Sequence, residues 1–476
     1  MTARPLTVDI GRTLDAGPWT PFQKRVVVLA ALSVVLDGFD GQLIGFAIPV
    51  LIREWGVTRG DFAPVVAAGL IGMGIGCAVA GPVGDRVGRR VAVLASVLVF
   101  GVATCAIGLS QSLAAVALLR FVAGLGIGGA LPSCTTLAAE FTPARRRTLA
   151  VTATIVCVPL GGMLAGLFAA LVLPALGWRG LFLVGGALPV AYSLLLAATL
   201  PESPRFLARR PARWDELVGL LHRFGRPVPR DSVFTDAAEP RLPVKPGLPV
   251  KPGFPARPCV PAKPGFAALF APARRRDTLA LWAAFFLCLF AVYGAFSWLP
   301  AMLTAEGLDV ATAGAGLTAY NLGGVFGALG CAAAIARFGS RGPQILCGLG
   351  GALSAFLLRG IHDPTLLVVG LGLHGLFVNA VQSTLYAVCM HVYPTGVRAT
   401  GTASALAVGR LGAVLSAFAG AAVITAGGGT AFLGVLALAM LGATLGLAAL
   451  RNPLPPLDGA APAAPAHAPP LAGPAR

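Results

Sequence analysis

Charged residues are scarce in this chain: 12% of its 476 residues are Asp, Glu, Lys or Arg, whereas 56% are hydrophobic. The mean hydropathy is +0.81. A water-soluble protein of this composition would lack the polar groups needed to cover its surface. The shortage of charge therefore excludes an ordinary soluble domain and indicates a membrane protein.

Acidic residues are scarcer still. The chain has 19 Asp and Glu against 36 Lys and Arg, so its net charge is +17. In a soluble chain such an excess would suggest a nucleic-acid partner. Here the basic residues lie mainly between apolar segments, where membrane topology accounts for them, and we predict no nucleic-acid partner.

The nine cysteines and five histidines also lack a pattern. The cysteines stand singly, without the spacing of a disulfide framework, a redox motif or a metal site, and the histidines form no metal cluster. We therefore predict no metal and no cofactor. The first 20 residues contain no apolar core, so we expect no cleaved signal peptide and a first span that acts as its own insertion signal.

Twelve apolar stretches are long enough to cross a bilayer, which requires about 20 residues. The first six cover 24–50, 62–83, 91–110, 113–139, 148–173 and 179–200. The second six cover 278–303, 311–336, 342–360, 364–390, 397–424 and 430–450. The sequence thus predicts an all-α membrane protein with two sets of six spans, a plan typical of transporters built from repeats around a midplane site.

The distribution of Lys and Arg predicts the orientation. With a cytoplasmic N-terminus, 30 of the 36 basic residues fall in cytoplasmic segments and four fall outside. The remaining two, Arg120 and Arg410, lie within spans. This asymmetry satisfies the positive-inside rule and predicts a multi-pass protein of the cell inner membrane with both termini in the cytoplasm.

The expected domains are a cytoplasmic segment 1–23, bundles 24–200 and 278–450, a cytoplasmic linker 201–277 and a disordered tail 451–476. Residues 242–265 of the linker hold four copies of a six-residue unit, in which proline favours extended polyproline II structure. We interpret the linker as a solvated spacer; the alternative is a docking site for a partner or for anionic lipid headgroups.

Asp37 and Asp40 lie near the middle of the first span, where a charge costs about 2.5–3.5 kcal/mol. Their i, i+3 spacing places both carboxyls on one helix face. Gly38, Gly41 and Gly45 beside them allow a helix or a ligand to approach. Burial favours a protonated carboxyl and a nearby arginine favours an ionised one, so these acids suit proton carriage. The alternative is that they pair with a basic residue to fix helix packing.

Arg120 lies in the fourth span, about 10 Å below the outer edge at 1.5 Å per residue, and Asp40 lies at about 15 Å by the same count. An Asp40–Arg120 pair is therefore geometrically feasible. Because the arginine keeps its charge, only the aspartate of such a pair would titrate.

Arg410 lies near the middle of the eleventh span, with no acid at comparable depth in the second half. An unpaired buried guanidinium is costly, and a substrate carboxylate would satisfy it with two hydrogen bonds. The alternative is that Arg410 bonds helix carbonyls or amides.

Other polar groups of the second half are candidates for hydrogen bonds to a ligand: Tyr320, Asn321, His374, Asn379 and Gln382. Such groups also join helices to one another in bilayers. Aromatic residues such as Phe39, Tyr293 and Trp298 would flank a planar substrate, although aromatics in membrane helices more often serve packing; of these we assign Phe39 to the site.

The loop between the second and third spans reads GPVGDRVGRR from Gly81 to Arg90. Its glycines permit a tight turn, and Asp85 is placed to cap the following helix. The arginines can bond the facing helix ends. We therefore assign a conformational, gating role to Gly81, Asp85, Arg86, Gly88 and Arg89.

Several motifs carry a resemblance to a known family. The loop at 81–90, RFVAGLGIGGA at 120–130 and PESPRFL at 201–207 resemble signatures of the major facilitator superfamily. DGFDGQLIGFAIP at 37–49, AYNLGGVFG at 319–327, the segment 373–401 and GRLGA at 409–413 are similar to the aromatic acid:proton symporter family. This chain departs from the family pattern at one position of the first span: after the second Asp the family commonly has Thr or a small residue, and this chain has Gly41.

The resemblance implies two six-helix bundles that alternate access to a central site, and uptake of benzoate-like or hydroxybenzoate-like acids together with protons. It also implies importance for Asp37, Asp40, Asp85 and Arg89. A carboxylate entering a negative interior works against about 2.3 kcal/mol per 100 mV, and a co-transported proton cancels that charge. The expected partners are an organic acid, protons and the lipid bilayer, with a monomeric functional unit.

Alternative functions, in the same class of protein or in others, fit the sequence less well. A symporter for a sugar or a non-aromatic carboxylate is the nearest, but an intramembrane arginine fits an acid better than a sugar. Drug efflux would require a more regular glycine-proline pattern in the fifth span. A membrane enzyme would require a nucleophile with a base or a metal cluster, so we predict no enzyme. A non-transporting sensor would not require two buried acids.

Overall fold

The computed structural model describes residues 7–15, 17–229, 232–236, 269–272, 274–393 and 397–456. The proline repeats at 242–265 and the tail beyond 456 lie outside the described residues. The chain enters through a short strand β1 (Thr7–Asp9) and helix α1 (Ile10–Asp15). The first half then consists of α2 (Pro21–Trp55), α3 (Arg59–Val87), α4 (Arg89–Ile107), α5 (Leu113–Glu140) and α6 (Ala144–Thr199).

Short elements follow before the second half. They are α7 (Pro204–Ala208), a 3-10 turn (Pro211–Arg213), α8 (Trp214–Arg223) and strand β2 (Val233–Thr235). The second half consists of α9 (Arg275–Ala305), α10 (Val310–Phe338), α11 (Arg341–Leu358), α12 (Pro364–Val392) and α13 (Arg398–Ala448).

Two helices are much longer than a membrane is thick. With 56 and 51 residues, α6 and α13 exceed the roughly 20 residues of one span. Each is broken at glycine: Gly177 has φ 62° in α6, and Gly428 has φ 63° in α13, a conformation that side chains disfavour. Each therefore supplies two spans. With α11 counted as one span, the ten long helices of the described chain, α2–α6 and α9–α13, supply the predicted twelve.

By length and composition, nine helices of the described chain are able to cross a membrane, with α6 and α13 each counted once. The helix α11 is not among these nine: its 18 residues are enough for a span, but it includes polar residues at its start. Some helices, such as α2 and α3, extend past the predicted spans by a few residues at both ends, whereas α4 and α11 end two or three residues before theirs.

The two halves have matching internal packing. In the first half α3 packs on α5 and α2 on α6, and in the second half α10 packs on α12 and α9 on α13. The halves meet mainly through three pairs of helices: α6 with α10, α3 with α13 and α2 with α9. These three contacts surround the centre of the molecule.

We call the end of the bundle at which α2 begins and α3 ends the basic face. A small cap covers part of it, because β1 pairs in parallel with β2 and brings the start of the chain to the segment after α8. Asp15 fastens this cap: its Oδ1 accepts from the Ala144 backbone N–H at the start of α6 (3.0 Å) and from Arg147 (2.8 Å).

The chain after α13 also contacts the basic face. The Arg451 N–H donates to Asp277 (3.0 Å), and Ser340 and Leu454 exchange two hydrogen bonds of 2.8 and 2.9 Å. Residues 451–456 of the segment expected to be disordered are therefore held against the start of α9 and α11.

Candidate functional site

A cavity of about 270 Å³ lies between the two halves. Most of its wall is apolar, and the charged residues that reach it are Asp37, Arg120 and Arg410. An apolar cavity with a few placed polar groups is the usual form of a small-molecule site.

The cavity is closed toward the face opposite the basic face. There α2 and α9 touch, because a Cβ on Gly45 would lie 2.3 Å from the Phe296 carbonyl oxygen. Thr318 of α10 fills the space beside Gly166 of α6 in the same way. Toward the basic face the lining continues to Thr135 and Met390, near the ends of their helices. The molecule is thus open to the basic face.

Arg410 enters the cavity from α13. Its NH1 donates to the Tyr293 hydroxyl (2.6 Å) and contacts the Met73 sulfur (2.6 Å), and its guanidinium lies 5.2 Å from the centre of the Tyr293 ring. A thioether is a weak acceptor and a phenol is neutral, so neither balances the positive charge. The acid with which Arg410 interacts electrostatically is Asp37, from the other half.

Asp37 is 6% exposed and lines the cavity. Its Oδ1 is buried without a hydrogen-bond partner among the described residues. No direct ion pair to Arg410 forms in the described chain. Asp37 and Arg410 therefore line the same cavity from opposite halves and interact electrostatically without a direct ion pair.

Asp40 is fully buried, and within the described chain neither of its carboxylate oxygens has a hydrogen-bond partner. It interacts electrostatically with Arg120, but the two form no direct ion pair. One Arg120 nitrogen donates to the Gly41 carbonyl (3.4 Å), while Nε and NH1 have no partner among the described residues. The structure brings together the charges of the predicted pair and leaves most of their hydrogen-bonding capacity unused.

Gln382 is the other predicted substrate contact that lines this cavity. Five predicted contacts do not line it: Phe39, Tyr320, Asn321, His374 and Asn379. Phe39 packs on Phe168 of α6, with ring centres 5.2 Å apart. These positions are corrections to the expected site, because each side chain is occupied within the packing of its own helices or at the interface between halves.

The four corrected residues of the second half form a layer behind the wall. The His374 ring bonds Ser354 (2.9 Å) and lies 5.7 Å from the Tyr320 ring, which packs on Phe296 at 5.8 Å. Asn379 donates to the Gly375 carbonyl of its own helix (3.0 Å). Because Phe296 itself lines the cavity, this polar layer supports the wall from outside.

Aromatic residues that sequence reasoning did not assign to the site form the wall of the second half. Tyr293 and Phe296 on α9 and Tyr386 on α12 line the cavity. Tyr386 lies one helical turn from Gln382, and Tyr293 and Phe296 are three residues apart, so each pair shares a face. The sequence signal that could have identified these aromatic residues was this spacing, above all that of Tyr386 from the predicted contact Gln382. Trp298, by contrast, is fully buried and donates to the Ala417 carbonyl (3.1 Å).

The glycines of the first span have separate uses. A Cβ on Gly38 would lie 2.1 Å from the Val158 carbonyl oxygen, so this glycine permits the close contact of α2 with α6. Around Gly41 nothing lies within 4 Å of the same atom, and Gly41 lines the cavity. The absence of a side chain at Gly41 therefore enlarges the site.

Gln42 and Asn321 form the polar bond between the halves at the closed end. Gln42 Nε2 donates to Asn321 Oδ1 (2.9 Å), and Asn321 Nδ2 donates to Gln42 Oε1 (2.6 Å). Both residues are at most 3% exposed. For the closed end to open, both bonds must break.

Replacing Gln42 with leucine is expected to shift the molecule toward a state open at the other face. Interhelical hydrogen bonds in membranes contribute about 0.6 kcal/mol on average and up to about 1.7, so losing two predicts a shift of roughly tenfold. Distances between spin labels at the ends of α2 and α10, in a background without native cysteines, measure it. The double variant Gln42→Leu, Asn321→Leu should give the same distances as Gln42→Leu alone, because the two hydrogen bonds are already lost in the single variant. A distance distribution in Gln42→Leu that equals that of the parent protein would refute the assigned role of these bonds in holding the closed end.

The loop motif forms a network within the first half on the basic face. Asp85 pairs with Arg89 (2.6 Å), and Arg89 lies 3.8 Å from Glu140 at the end of α5. Glu140 in turn accepts from Ser203, which belongs to the PESPRFL motif at 201–207. Asp85, expected to cap the following helix, instead belongs to this network. The helix α4 begins at Arg89, and its N-cap residue Gly88 provides no side-chain cap.

The tight turn of this motif lies at Gly88 alone. The helix α3 continues through Gly81 to Val87, and Gly88 has φ 119°. Glu202 accepts from the Arg90 backbone N–H (3.0 Å), and a Cβ on Gly88 would lie 2.2 Å from its Oε2. Arg86 takes part through its carbonyl, which accepts from Arg210.

Gly88→Ala is expected to lower the thermal stability and the transport rate, because it adds about 1–3 kcal/mol of backbone strain and displaces Glu202. Gly81→Ala is the matched control, since nothing lies within 4 Å of a Cβ there. Melting in detergent and initial uptake rates measure both. Equal effects at the two positions would contradict the assignment of the turn to Gly88.

These features define a class: a two-bundle membrane transporter with a charged central cavity that is open at one face. A family model of the Major Facilitator Superfamily matches residues 30–358 and 281–473. The inward-open structure of the xylose transporter from E. coli has a TM-score of 0.66 at 17% identity, covering 89% of this chain and 95% of that chain. This likeness concerns the fold.

Relatives in sequence are more specific. A gallate transporter of Pseudomonas putida is 34% identical, over 94% of this chain and 94% of that protein. A 4-hydroxybenzoate transporter of Pseudomonas aeruginosa is 34% identical over 93% and 95%. The chain belongs to the major facilitator superfamily and resembles its aromatic acid transporters; it is a transporter and not an enzyme.

Proposed function

We propose that this protein takes up an aromatic carboxylate, such as a hydroxybenzoate, together with protons. The observation that supports this most directly is Arg410, a guanidinium without a direct ion pair in the described chain, set in a cavity walled by Tyr293, Phe296 and Tyr386. Arginine receives a carboxylate with two hydrogen bonds, and aromatic rings favour a planar apolar body. The names of the relatives agree with this substrate class.

Coupling to protons follows from the position of Asp37. When Asp37 is ionised, its charge offsets that of Arg410 and repels an incoming carboxylate. When Asp37 is protonated, Arg410 attracts the carboxylate without opposition. Proton binding and substrate binding therefore favour each other, and such coupling is reciprocal by thermodynamic linkage.

Asp40 and Arg120 supply a second proton site in the first half. Arg120 keeps its charge throughout, so only Asp40 changes state. Since one proton cancels the charge of the carboxylate, a second would let the membrane potential assist uptake. Both acids lie on α2, which contacts α9 of the second half. Their charge state therefore affects a contact between the halves, and this contact must change when the cavity opens to the other face.

The orientation in the membrane completes the proposal. The basic face is the cytoplasmic face of the cell inner membrane, so the state described is inward-open. One chain supplies every group invoked here, so a monomer is sufficient as the functional unit. The network from Asp85 to Glu140 fixes the ends of α3 and α5 on that face. It thereby contributes to gating, the opening and closing of the cavity.

The test is uptake by proteoliposomes with an imposed proton gradient. We expect labelled 4-hydroxybenzoate or gallate to accumulate, and a protonophore to abolish the accumulation. Octanoate and xylose in the same assay represent the non-aromatic acid and the sugar. Accumulation of xylose alone, or accumulation that persists with the protonophore, would refute the proposal.

A further inference from the structure

A second pocket, of about 560 Å³, lies on the basic face and is separate from the central cavity. Trp19, Lys24, Arg145 and Arg146 line it, at the junction where α2 and α6 begin. Two cations lie close to the Trp19 ring, with Lys24 Nζ 5.7 Å and Arg146 Cζ 6.0 Å from its centre. We propose that this pocket binds the phosphate headgroup of an anionic phospholipid.

The charge of the pocket requires an anion. Three basic side chains line it, and its acid, Asp15, already bonds Arg147 and the first backbone N–H of α6. The indole Nε1 of Trp19 is buried without a hydrogen-bond partner among the described residues. A phosphate group offers acceptor oxygens to lysine and arginine side chains, so the three cations that line the pocket indicate the chemistry of the ligand.

The surface next to the pocket indicates that the phosphate belongs to a lipid. Val28 and Leu32 follow Lys24 at intervals of one helical turn and are 55% and 44% exposed. Leu149, one turn after Arg145, is 64% exposed. It lies two residues from Val151, which lines the central cavity, so it points away from that cavity. Exposed apolar stripes therefore run from the pocket into the bilayer, where acyl chains would lie.

The experiment titrates the purified full chain in detergent with phosphatidylglycerol, and separately with phosphatidylcholine, and measures the bound fraction by native mass spectrometry. We expect saturable binding of phosphatidylglycerol at much lower concentration than phosphatidylcholine. Lys24→Gln should weaken it about fivefold, the equivalent of about 1 kcal/mol per basic residue near the surface.

Arg25→Gln is the matched control, since Arg25 is an exposed neighbour on the same turn that does not line the pocket. It should change binding by less than twofold. Equal weakening by Lys24→Gln and Arg25→Gln would overturn the site, leaving only general surface attraction. Competition by inorganic phosphate as strong as that by phosphatidylglycerol would overturn the lipid assignment. Unchanged melting of the variants in phosphatidylcholine shows that they are folded.

Discussion

Replacing Arg410 with leucine is expected to abolish measurable uptake of an aromatic acid. Truncating one partner of a buried charged hydrogen-bonded pair costs about 2–5 kcal/mol, so the substrate affinity should fall at least about 30-fold. Leucine keeps the apolar volume, and α13 packs mainly through its other faces, so the protein should still fold. Binding of 4-hydroxybenzoate, measured by calorimetry in detergent, gives the loss directly.

The informative comparison is Arg410→Lys. Lysine keeps the charge but loses the two-pronged geometry, so binding should be partly retained, between the wild type and the leucine variant. Gln382→Leu, on the same wall, should cost much less because an amide contributes a neutral hydrogen bond. If Arg410→Leu bound the acid as tightly as the wild type, the substrate carboxylate would have to lie elsewhere.

Replacing Asp37 with asparagine is expected to uncouple transport from the proton gradient. Asparagine resembles the protonated acid in shape and charge, so Arg410 should remain available and substrate should bind. Without a carboxyl at this position, a proton gradient can no longer drive accumulation through it. We expect net accumulation to vanish while exchange of labelled for unlabelled substrate across the membrane continues.

Two further variants show whether this effect is specific to position 37. Asp40→Asn should reduce proton-driven accumulation with less effect on substrate binding, because Asp40 faces Arg120 and not Arg410. Asp215→Asn changes an exposed acid of α8 and should leave both activities unchanged. Proton-driven accumulation at the wild-type level in Asp37→Asn would contradict the assigned coupling.

The charged centre of the site could be predicted from sequence because intramembrane charge is expensive. Asp37, Arg120 and Arg410 stand out in apolar spans, and all three line the cavity. The partner of Arg410 could not be predicted in the same way. The second half contains no acid at comparable depth. Asp37 comes from the first half, and only the packing of the halves brings it to the cavity that Arg410 lines.

Neutral polar and aromatic residues were harder to assign. Asn321 and Gln382 have similar chemistry and depth, yet one bonds Gln42 across the interface and the other lines the cavity. An amide at mid-membrane satisfies either role equally, so its helix face decides. Tyr293 and Phe296 were missed for the same reason, because aromatic side chains in membrane helices commonly serve packing.

The twelve spans followed from apolar length, and the break at Gly177 lies between the predicted ends at 173 and 179. The cap on the basic face could not be predicted, since the strands Thr7–Asp9 and Val233–Thr235 are three residues each and far apart in sequence. Strands so short carry no periodic signal, and their pairing depends on where the ends of α2 and α6 place the chain.

The most direct test of the account is the pH dependence of ligand binding in the wild type and in Asp37→Asn. Titrations with 4-hydroxybenzoate over about pH 6–8.5 keep the ligand carboxyl ionised. The account predicts that wild-type affinity falls as the pH rises and that binding takes up protons from a weak buffer, whereas Asp37→Asn shows a weaker dependence and takes up fewer protons. Identical pH profiles and proton uptake in the two proteins would contradict it.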